Sequence, residues 1–100
     1  METEAELEKY KSFFLIGIGG AGMSAIAVVL QGMGFSVKGS DLKNSRYTEL
    51  LTGQGIEIFI GHNAENIKNS DAVIYSTSIT DENDEMVEAK KLGLPVFTRG

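Results

Sequence analysis

The sequence predicts an α/β fold in which a five-stranded parallel sheet carries helices on both faces. Short apolar runs alternate along the chain with segments of helical periodicity, which is the pattern of repeated strand–helix–strand units. A glycine-rich turn at residues 17–22 joins the first apolar run to the first helical segment. Right-handed crossovers, with this turn directly after strand one, predict the strand order 3-2-1-4-5, a Rossmann-like arrangement.

Each predicted strand is an apolar run that ends at glycine or polar residues. The strands are expected at residues 13–17, 36–39, 57–60, 72–75 and 95–97, and the helices at residues 21–32, 46–53 and 84–92, with a short helical turn at 64–67. The last helix has acidic residues in its first turn and Lys90 and Lys91 in its last, and Gly93 then stops it. This charge order is the one that the helix dipole favours.

One domain accounts for most of the chain. Residues 1–11 form a polar, glutamate-rich leader, in which Thr3 and Glu6 fit a capping box, so either a short helix at residues 4–9 or a frayed segment is expected. Residues 12–100 form the Rossmann-like domain. The chain stops two or three residues after strand five, which indicates a fragment of a longer protein.

Composition argues against several classes of partner. The net charge of −5 disfavours nucleic acid and anionic membrane surfaces, both of which attract basic proteins. The chain has no cysteine, which excludes disulfides and thiolate metal sites and suits a reducing cytoplasm. No apolar run is as long as a membrane span. A soluble, cytoplasmic domain is therefore expected.

The glycine turn has the spacing of a phosphate-binding loop. Gly17 is expected to allow the tight turn, Gly19 to let the backbone approach a phosphate, and Gly22 to let helix and strand pack closely. Free N–H groups and the positive end of the helix dipole would attract an anion there. A hydroxyl at Ser24, in the first helical turn, either adds a donor or is simply tolerated near a helix start.

Polar residues follow three further strands at their carboxyl ends, where open parallel sheets bind ligands. Asp41 lies nineteen residues after Gly22, so it fits the carboxylate that binds ribose hydroxyls, or else it forms an Asx-turn. His62 is either a ligand contact or an exposed loop residue. The hydroxyls at 76–78 either bind phosphate or sugar or form turns before the last helix.

Catalytic patterns are missing from the sequence. There is no G-x-x-x-x-G-K-[ST] loop, no pair of nucleophile and base, and no set of metal-binding carboxylates. His62 is the single histidine, and no ligands at metal spacing accompany it, so no metal is expected. These observations indicate a binding domain that is only part of a catalyst.

The blocks that carry this pattern resemble a known family. They are residues 16–24 (IGIGGAGMS), 39–42 (GSDL), 61–62 (GH), 75–79 (YSTSI) and 93–96 (GLPV). In this order they closely resemble the N-terminal domain of the Mur ligases of peptidoglycan synthesis, and the match covers nearly all of the chain from Phe13 onward. Within that family, the glycine block combined with GSD favours the alanine-adding ligases over the murein peptide ligases.

The resemblance implies a domain that binds the UDP part of UDP-N-acetylmuramic acid and belongs to an ATP-dependent ligase that adds L-alanine to it. ATP and magnesium would act in a central domain that this chain lacks, so the fragment alone is expected to be inactive and to need the remaining ligase domains as partners. No role is assigned to Arg99. The implied substrate-binding residues are Gly17, Gly19, Gly20, Ala21, Gly22, Met23, Ser24, Asp41, Leu42, His62, Ser76, Thr77 and Ser78.

Two other functions stay open on the residues alone. The glycines and Asp41 suit the NAD-binding half of a dehydrogenase equally well, because the fingerprint is shared. A nucleotide-sensing regulatory module of this size is the third alternative.

Overall fold

The computed structural model describes residues 9–99. The helix predicted at residues 4–9 lies outside this part of the chain, apart from Lys9, which is in a turn. The described elements in chain order are β1 (Ser12–Ile16), α1 (Ala21–Gly32), β2 (Ser36–Asp41), α2 (Arg46–Gly53), β3 (Glu57–Ile60), a 3-10 turn (Ala64–Ile67), β4 (Ala72–Tyr75), α3 (Asp84–Lys91) and β5 (Val96–Thr98).

The five strands form one parallel sheet in the order β3-β2-β1-β4-β5, as predicted. The central strand, β1, pairs with β2 on one side and with β4 on the other. The chain therefore adds β2 and β3 on one side of β1 and then crosses back to add β4 and β5 on the other side. This reversal creates a crevice at the carboxyl end of β1, which is the usual ligand position in such sheets.

The side chains of β1 alternate between two hydrophobic cores. Phe13 and Leu15 pack in the core beneath α1 and α2, which includes Leu30 and Leu51. Phe14 and Ile16 pack on the other face, in a core with α3 and the 3-10 turn. Because both faces are covered, β1 is apolar throughout, as buried parallel strands are. Helices on both faces confirm the predicted fold class.

Three strands have bounds that differ from the predicted ones. β1 begins and ends one residue early, at Ser12–Ile16, and it ends there because Gly17 adopts a φ of 83° and turns the chain away from the sheet. β2 continues two residues beyond the prediction, to Asp41, because Ser40 and Asp41 still pair with β3. β5 begins and ends one residue later, at Val96–Thr98, where it pairs with β4.

The close approach of β1 and β2 depends on a glycine. A Cβ added at Gly39 would collide with the backbone oxygen of Leu15 and would lie 2.7 Å from Cδ1 of Ile18. Ile18 is fully buried and belongs to the loop that follows β1. Gly39 thus lets this loop lie directly over the end of β2, which fixes the position of the residues that follow. Within residues 9–99, no helix combines the length and apolar character needed to cross a membrane.

Candidate functional site

A cleft of about 490 Å³ lies at the carboxyl ends of β1, β2 and β4. Its walls come from the glycine loop, from the segment after β2, and from the turns after β3 and β4. The lining residues are Gly17, Gly19, Gly20, Asp41, Leu42, Lys43, Ser45, His62, Ser76, Ser78 and Ile79. Segments far apart in sequence therefore meet at the switch in strand order, as the sequence predicted.

The glycine loop is fixed to the end of β2 by backbone hydrogen bonds. The N–H groups of Gly17 and Ile18 both donate to the carbonyl oxygen of Ser40, at 2.8 and 3.0 Å. The N–H of Gly20 donates back to the carbonyl of Gly17, at 3.2 Å. A loop held in this way needs little reordering when a ligand binds, which lowers the entropic cost of binding.

The first turn of α1 offers free donors to the cleft. Gly20 is the N-cap residue, no side chain caps this helix, and its first turn has no acidic residue. Among the described residues, the N–H groups of Ala21, Gly22 and Met23 have no hydrogen-bond partner. Three unpaired donors at the positive end of a helix dipole form a site suited to an anion such as a phosphate.

Asp41 binds the loop itself. Its Oδ2 accepts the N–H of Gly19 and its Oδ1 accepts the N–H of Leu42, both at 2.8 Å. A Cβ at Gly19 would lie 2.8 Å from Oδ2 and 3.0 Å from Cγ2 of Thr48. The glycine therefore makes room for Asp41 and Thr48, and its N–H is bound to Asp41. The expected close approach of its backbone to a phosphate stays a prediction.

Gly22 leaves space for a side chain from the end of the chain. A Cβ added at Gly22 would meet the guanidinium group of Arg99, and no strand atom lies nearer. The backbone N–H of Arg99 donates to the carbonyl of Tyr75 at 3.0 Å, which holds this residue beside β4. Gly22 therefore gives space to a cation next to the first turn of α1. The resemblance assigned no role to Arg99, because residues 99–100 reach only the start of the segment that follows strand five in the family.

Sequence reasoning did not find the buried polar cluster behind His62. Glu85 is on α3, and its side chain is 0% exposed. Its Oε1 accepts the hydroxyl of Ser40 at 2.5 Å and lies 2.8 Å from Nδ1 of His62. Its Oε2 accepts the side-chain amide of Asn66 at 2.7 Å and the N–H of Asn63 at 3.3 Å. A glutamate in an acidic helical turn has no sequence signal that distinguishes it from a solvated one, so only the tertiary structure reveals this cluster.

The structure places the thirteen predicted site residues in three sets. Eight of the thirteen line the cleft: Gly17, Gly19, Gly20, Asp41, Leu42, His62, Ser76 and Ser78. Ala21 and Gly22 are in the first turn of α1, where their free N–H groups lie. The hydroxyls of Ser76 and Ser78 are 3.1 Å apart, and the N–H of Ser78 donates to Ser76 Oγ at 3.4 Å. These contacts form a turn before the last helix, which was the alternative to ligand binding for these hydroxyls.

The other three predicted residues are outside the lining of the cleft as well. Met23 is 1% exposed and packs in the core beneath α1, so only its backbone N–H is available to a ligand. Ser24 is 8% exposed, and its hydroxyl donates to the carbonyl of Ala21 at 2.9 Å, within its own helix. Thr77 is exposed but is not among the lining residues. The binding roles of all thirteen stay predictions.

The described residues do not provide a metal site. In residues 9–99, no three histidine, cysteine or acidic side chains are grouped so that they could hold a metal ion. Glu85 is enclosed by donors, and both carboxylate oxygens of Asp41 accept backbone N–H groups.

Comparison with known proteins decides the family. A sequence profile described as the Mur ligase family, catalytic domain, matches residues 13–100. The chain belongs to the Mur ligase family. A UDP-N-acetylmuramate–L-alanine ligase from Sulfurihydrogenibium sp. is 47% identical over 92% of this chain. The match covers 20% of that protein, so this member of the family spans about a fifth of the length of the curated relatives it matches.

Solved structures of the family share the fold. The UDP-N-acetylmuramate–alanine ligase MurC from Thermotoga maritima has a TM-score of 0.86 and 36% identity, over 88% of this chain and 20% of its own. A ligase for UDP-N-acetylmuramate:L-alanyl-γ-D-glutamyl-meso-diaminopimelate from Neisseria meningitides has a TM-score of 0.82 and 27% identity, over 89% of this chain and 28% of its own. Of these two structures, the one with the higher identity to this chain is the alanine ligase. This agrees with the prediction, from the glycine block, that the chain resembles the alanine-adding ligases.

Proposed function

We propose that this chain is the UDP-binding, N-terminal domain of a Mur ligase that joins L-alanine to UDP-N-acetylmuramic acid. The observation that carries the proposal is the set of three unpaired N–H groups at the first turn of α1, beside a cleft at the strand switch point. The family match and the names of the relatives supply the ligand class, because those relatives are ligases of UDP-N-acetylmuramate.

The cleft matches the parts of a UDP group. A pyrophosphate at the first turn of α1 would accept the N–H groups of residues 21–23, and Lys43 and Arg99 would add positive charge in a chain that is acidic overall. Each oxygen of Asp41 accepts one N–H and keeps a lone pair free, so a ribose hydroxyl can still donate to it. His62 and Leu42 line the part of the cleft that would hold the nucleoside.

Substitution of Gly20 tests the phosphate site without disturbing the loop. Its φ of −68° and ψ of 152° suit any residue, and an added Cβ would meet only the Gly17 carbonyl oxygen, at 3.7 Å. In Gly20→Asp the new carboxylate would cap α1, accept its free N–H groups and repel phosphate. We expect UDP affinity to fall about tenfold or more, while thermal stability is kept or slightly raised.

Isothermal titration calorimetry with UDP and UDP-N-acetylmuramic acid measures the effect. Gly20→Ala is the matched control, because it adds a Cβ but neither a charge nor a cap, and it should bind UDP nearly as the wild type does. Gly19→Val is less suitable, since its side chain would displace Asp41 and Thr48. Equal UDP binding by Gly20→Asp and Gly20→Ala would refute the phosphate assignment.

A dinucleotide is the competing ligand. The hydrogen-bonding groups of the cleft do not by themselves distinguish UDP from NAD, because both present a pyrophosphate and a ribose. The family match favours UDP. If NADH fluorescence rises on mixing with the chain and UDP does not reverse the rise, the dehydrogenase alternative is supported instead. A ligand-dependent change of oligomeric state would support a regulatory module.

The ATP-dependent step is assigned to parts of the ligase other than this domain. The sequence has no phosphate-binding lysine loop, and residues 9–99 group no metal-binding side chains, so they do not fit ATP and magnesium. We therefore derive no chemical step through either. We expect the chain alone to release no phosphate from ATP in the presence of UDP-N-acetylmuramic acid and L-alanine.

A further inference from the structure

The buried carboxylate of Glu85 lies against one ring nitrogen of His62, Nδ1. Ser40 Oγ lies 2.5 Å from Glu85 Oε1, a contact that requires a hydrogen between the two oxygens. The two groups that donate to Oε2, from Asn63 and Asn66, occupy that oxygen. In the remaining contact the donor is the Ser40 hydroxyl, whose hydrogen points to Oε1.

This arrangement leaves only acceptors facing Nδ1 of His62. Glu85 Oε1 is 2.8 Å away, and Ser40 Oγ, whose hydrogen is directed to Glu85, is 2.9 Å away. A lone pair on Nδ1 would face the lone pairs of both oxygens at hydrogen-bond distance, which is repulsive. A proton on Nδ1 can be shared between them. The other ring nitrogen, Nε2, has no hydrogen-bond partner among residues 9–99, and His62 lines the cleft.

We propose that Glu85 is a positioning residue that holds His62 in its Nδ1–H tautomer, so that Nε2 presents a lone pair to a hydrogen-bond donor of the bound nucleotide. The inference rests on the proposed UDP site and extends it to the part of the ligand that His62 recognises. Phosphate oxygens of UDP only accept hydrogen bonds, so the partner of a neutral Nε2 is a ribose hydroxyl or the N3–H of the base. His62 then binds the nucleoside, and the first turn of α1 binds the pyrophosphate.

Nuclear magnetic resonance of the imidazole nitrogens tests the tautomer in the unliganded chain. His62 is the single histidine, so its signals need no assignment. At about pH 8.5, where an imidazole is ordinarily neutral, we expect the wild type to show a protonated Nδ1 and an unprotonated Nε2. The opposite pattern in the wild type would overturn the inference before any variant is made.

Substitution of Glu85 tests its role. In Glu85→Gln the side-chain amide can donate to Nδ1, so we expect the Nε2–H form to gain population. Glu88→Gln is the matched control, since Glu88 is one turn further along α3 and is not part of the cluster. We expect it to leave the tautomer unchanged. A folded Glu85→Gln chain with the wild-type tautomer would contradict the positioning role.

Calorimetry with UDP and three analogues tests the consequence for binding. The analogues 2′-deoxy-UDP, 3′-deoxy-UDP and 3-methyl-UDP each lack one donor. We expect Glu85→Gln to weaken UDP binding about three- to tenfold, and this loss to disappear for the analogue that lacks the donor bound by Nε2. An equal loss for all four ligands would show a merely structural role. If the wild type does not bind UDP, the proposed function fails, whereas the tautomer comparison still decides the role of Glu85.

Discussion

At the scale of single residues, the glycines near the cleft have different reasons to be glycine. Gly17 needs its positive φ, Gly19 leaves space for Asp41, and Gly22 leaves space for Arg99. Gly39 has the most restrictive surroundings, because a side chain there would meet the backbone of β1 and the buried Ile18. The atoms around Gly39 belong to the packed core, so they have little freedom to move.

Gly39→Ala is therefore expected to destabilise the fold by about 1–3 kcal/mol through overpacking. Gly53→Ala is the matched control, since an added Cβ at the end of α2 would meet no atom within 4 Å. It should stabilise the fold by up to about 1 kcal/mol, because alanine has the higher helix propensity. Urea unfolding of the two variants and the wild type measures both changes. A neutral Gly39→Ala would show that β1 and the loop can separate without cost.

At the scale of elements, the helices differ in how their first turns are capped. The side chain of Asn83 accepts the N–H groups of Glu85 and Met86 at the start of α3. Ser45 and Thr48 form a reciprocal capping box at the start of α2. The first turn of α1 has no such cap. The uncapped helix α1 begins beside the cleft, so its free N–H groups are available to a ligand.

Removal of the cap of α3 should lower stability. We expect Asn83→Ala to cost about 1 kcal/mol, which corresponds to a fall in Tm of about 4–8 °C for a domain of this size. Asn83→Asp keeps the acceptor and should retain the wild-type Tm. Circular dichroism melts of the three chains give the comparison. If Asn83→Ala and Asn83→Asp melt together, the cap is not the stabilising interaction.

At the scale of the whole molecule, a ligand at the switch point binds segments from both halves of the sheet. The glycine loop, the segment after β2 and the turns after β3 and β4 come together only when all four strands are paired. The unfolded chain does not assemble this cleft. Ligand binding therefore stabilises the fold by mass action.

UDP at a hundred times its Kd should add about 2.7 kcal/mol to the free energy of unfolding, or roughly 10–20 °C to Tm. The same concentration of NADH should shift Tm much less if the site is selective for UDP. At the same UDP concentration, the Gly20→Asp chain should gain about 1.4 kcal/mol or less, and so show at most about half the wild-type shift, although its own Tm is at least that of the wild type. A larger shift with NADH than with UDP would favour the dehydrogenase alternative.

Much of the fold could be predicted because its signals are local. Helices α1 and α2, strands β3 and β4 and the 3-10 turn have the predicted bounds, since glycines and polar residues end each apolar run. The bounds of β2 and β5 shifted by one or two residues because pairing with a neighbouring strand decides where they lie, whereas β1 ends at the turn of Gly17 and α3 ends one residue before its predicted bound. Ser40 and Asp41 continue β2 because β3 is beside them.

The sequence by itself determined the sheet order, the position of the cleft and eight of the residues that line it. These could be predicted because strand ends and the spacing of the glycines are local features of the sequence. The tertiary structure decided what these residues contact. Asp41 binds the glycine loop, Arg99 lies against Gly22, and Glu85 is buried against His62. These partners lie 22 or more residues apart along the chain, and only packing brings them within hydrogen-bond or van der Waals distance.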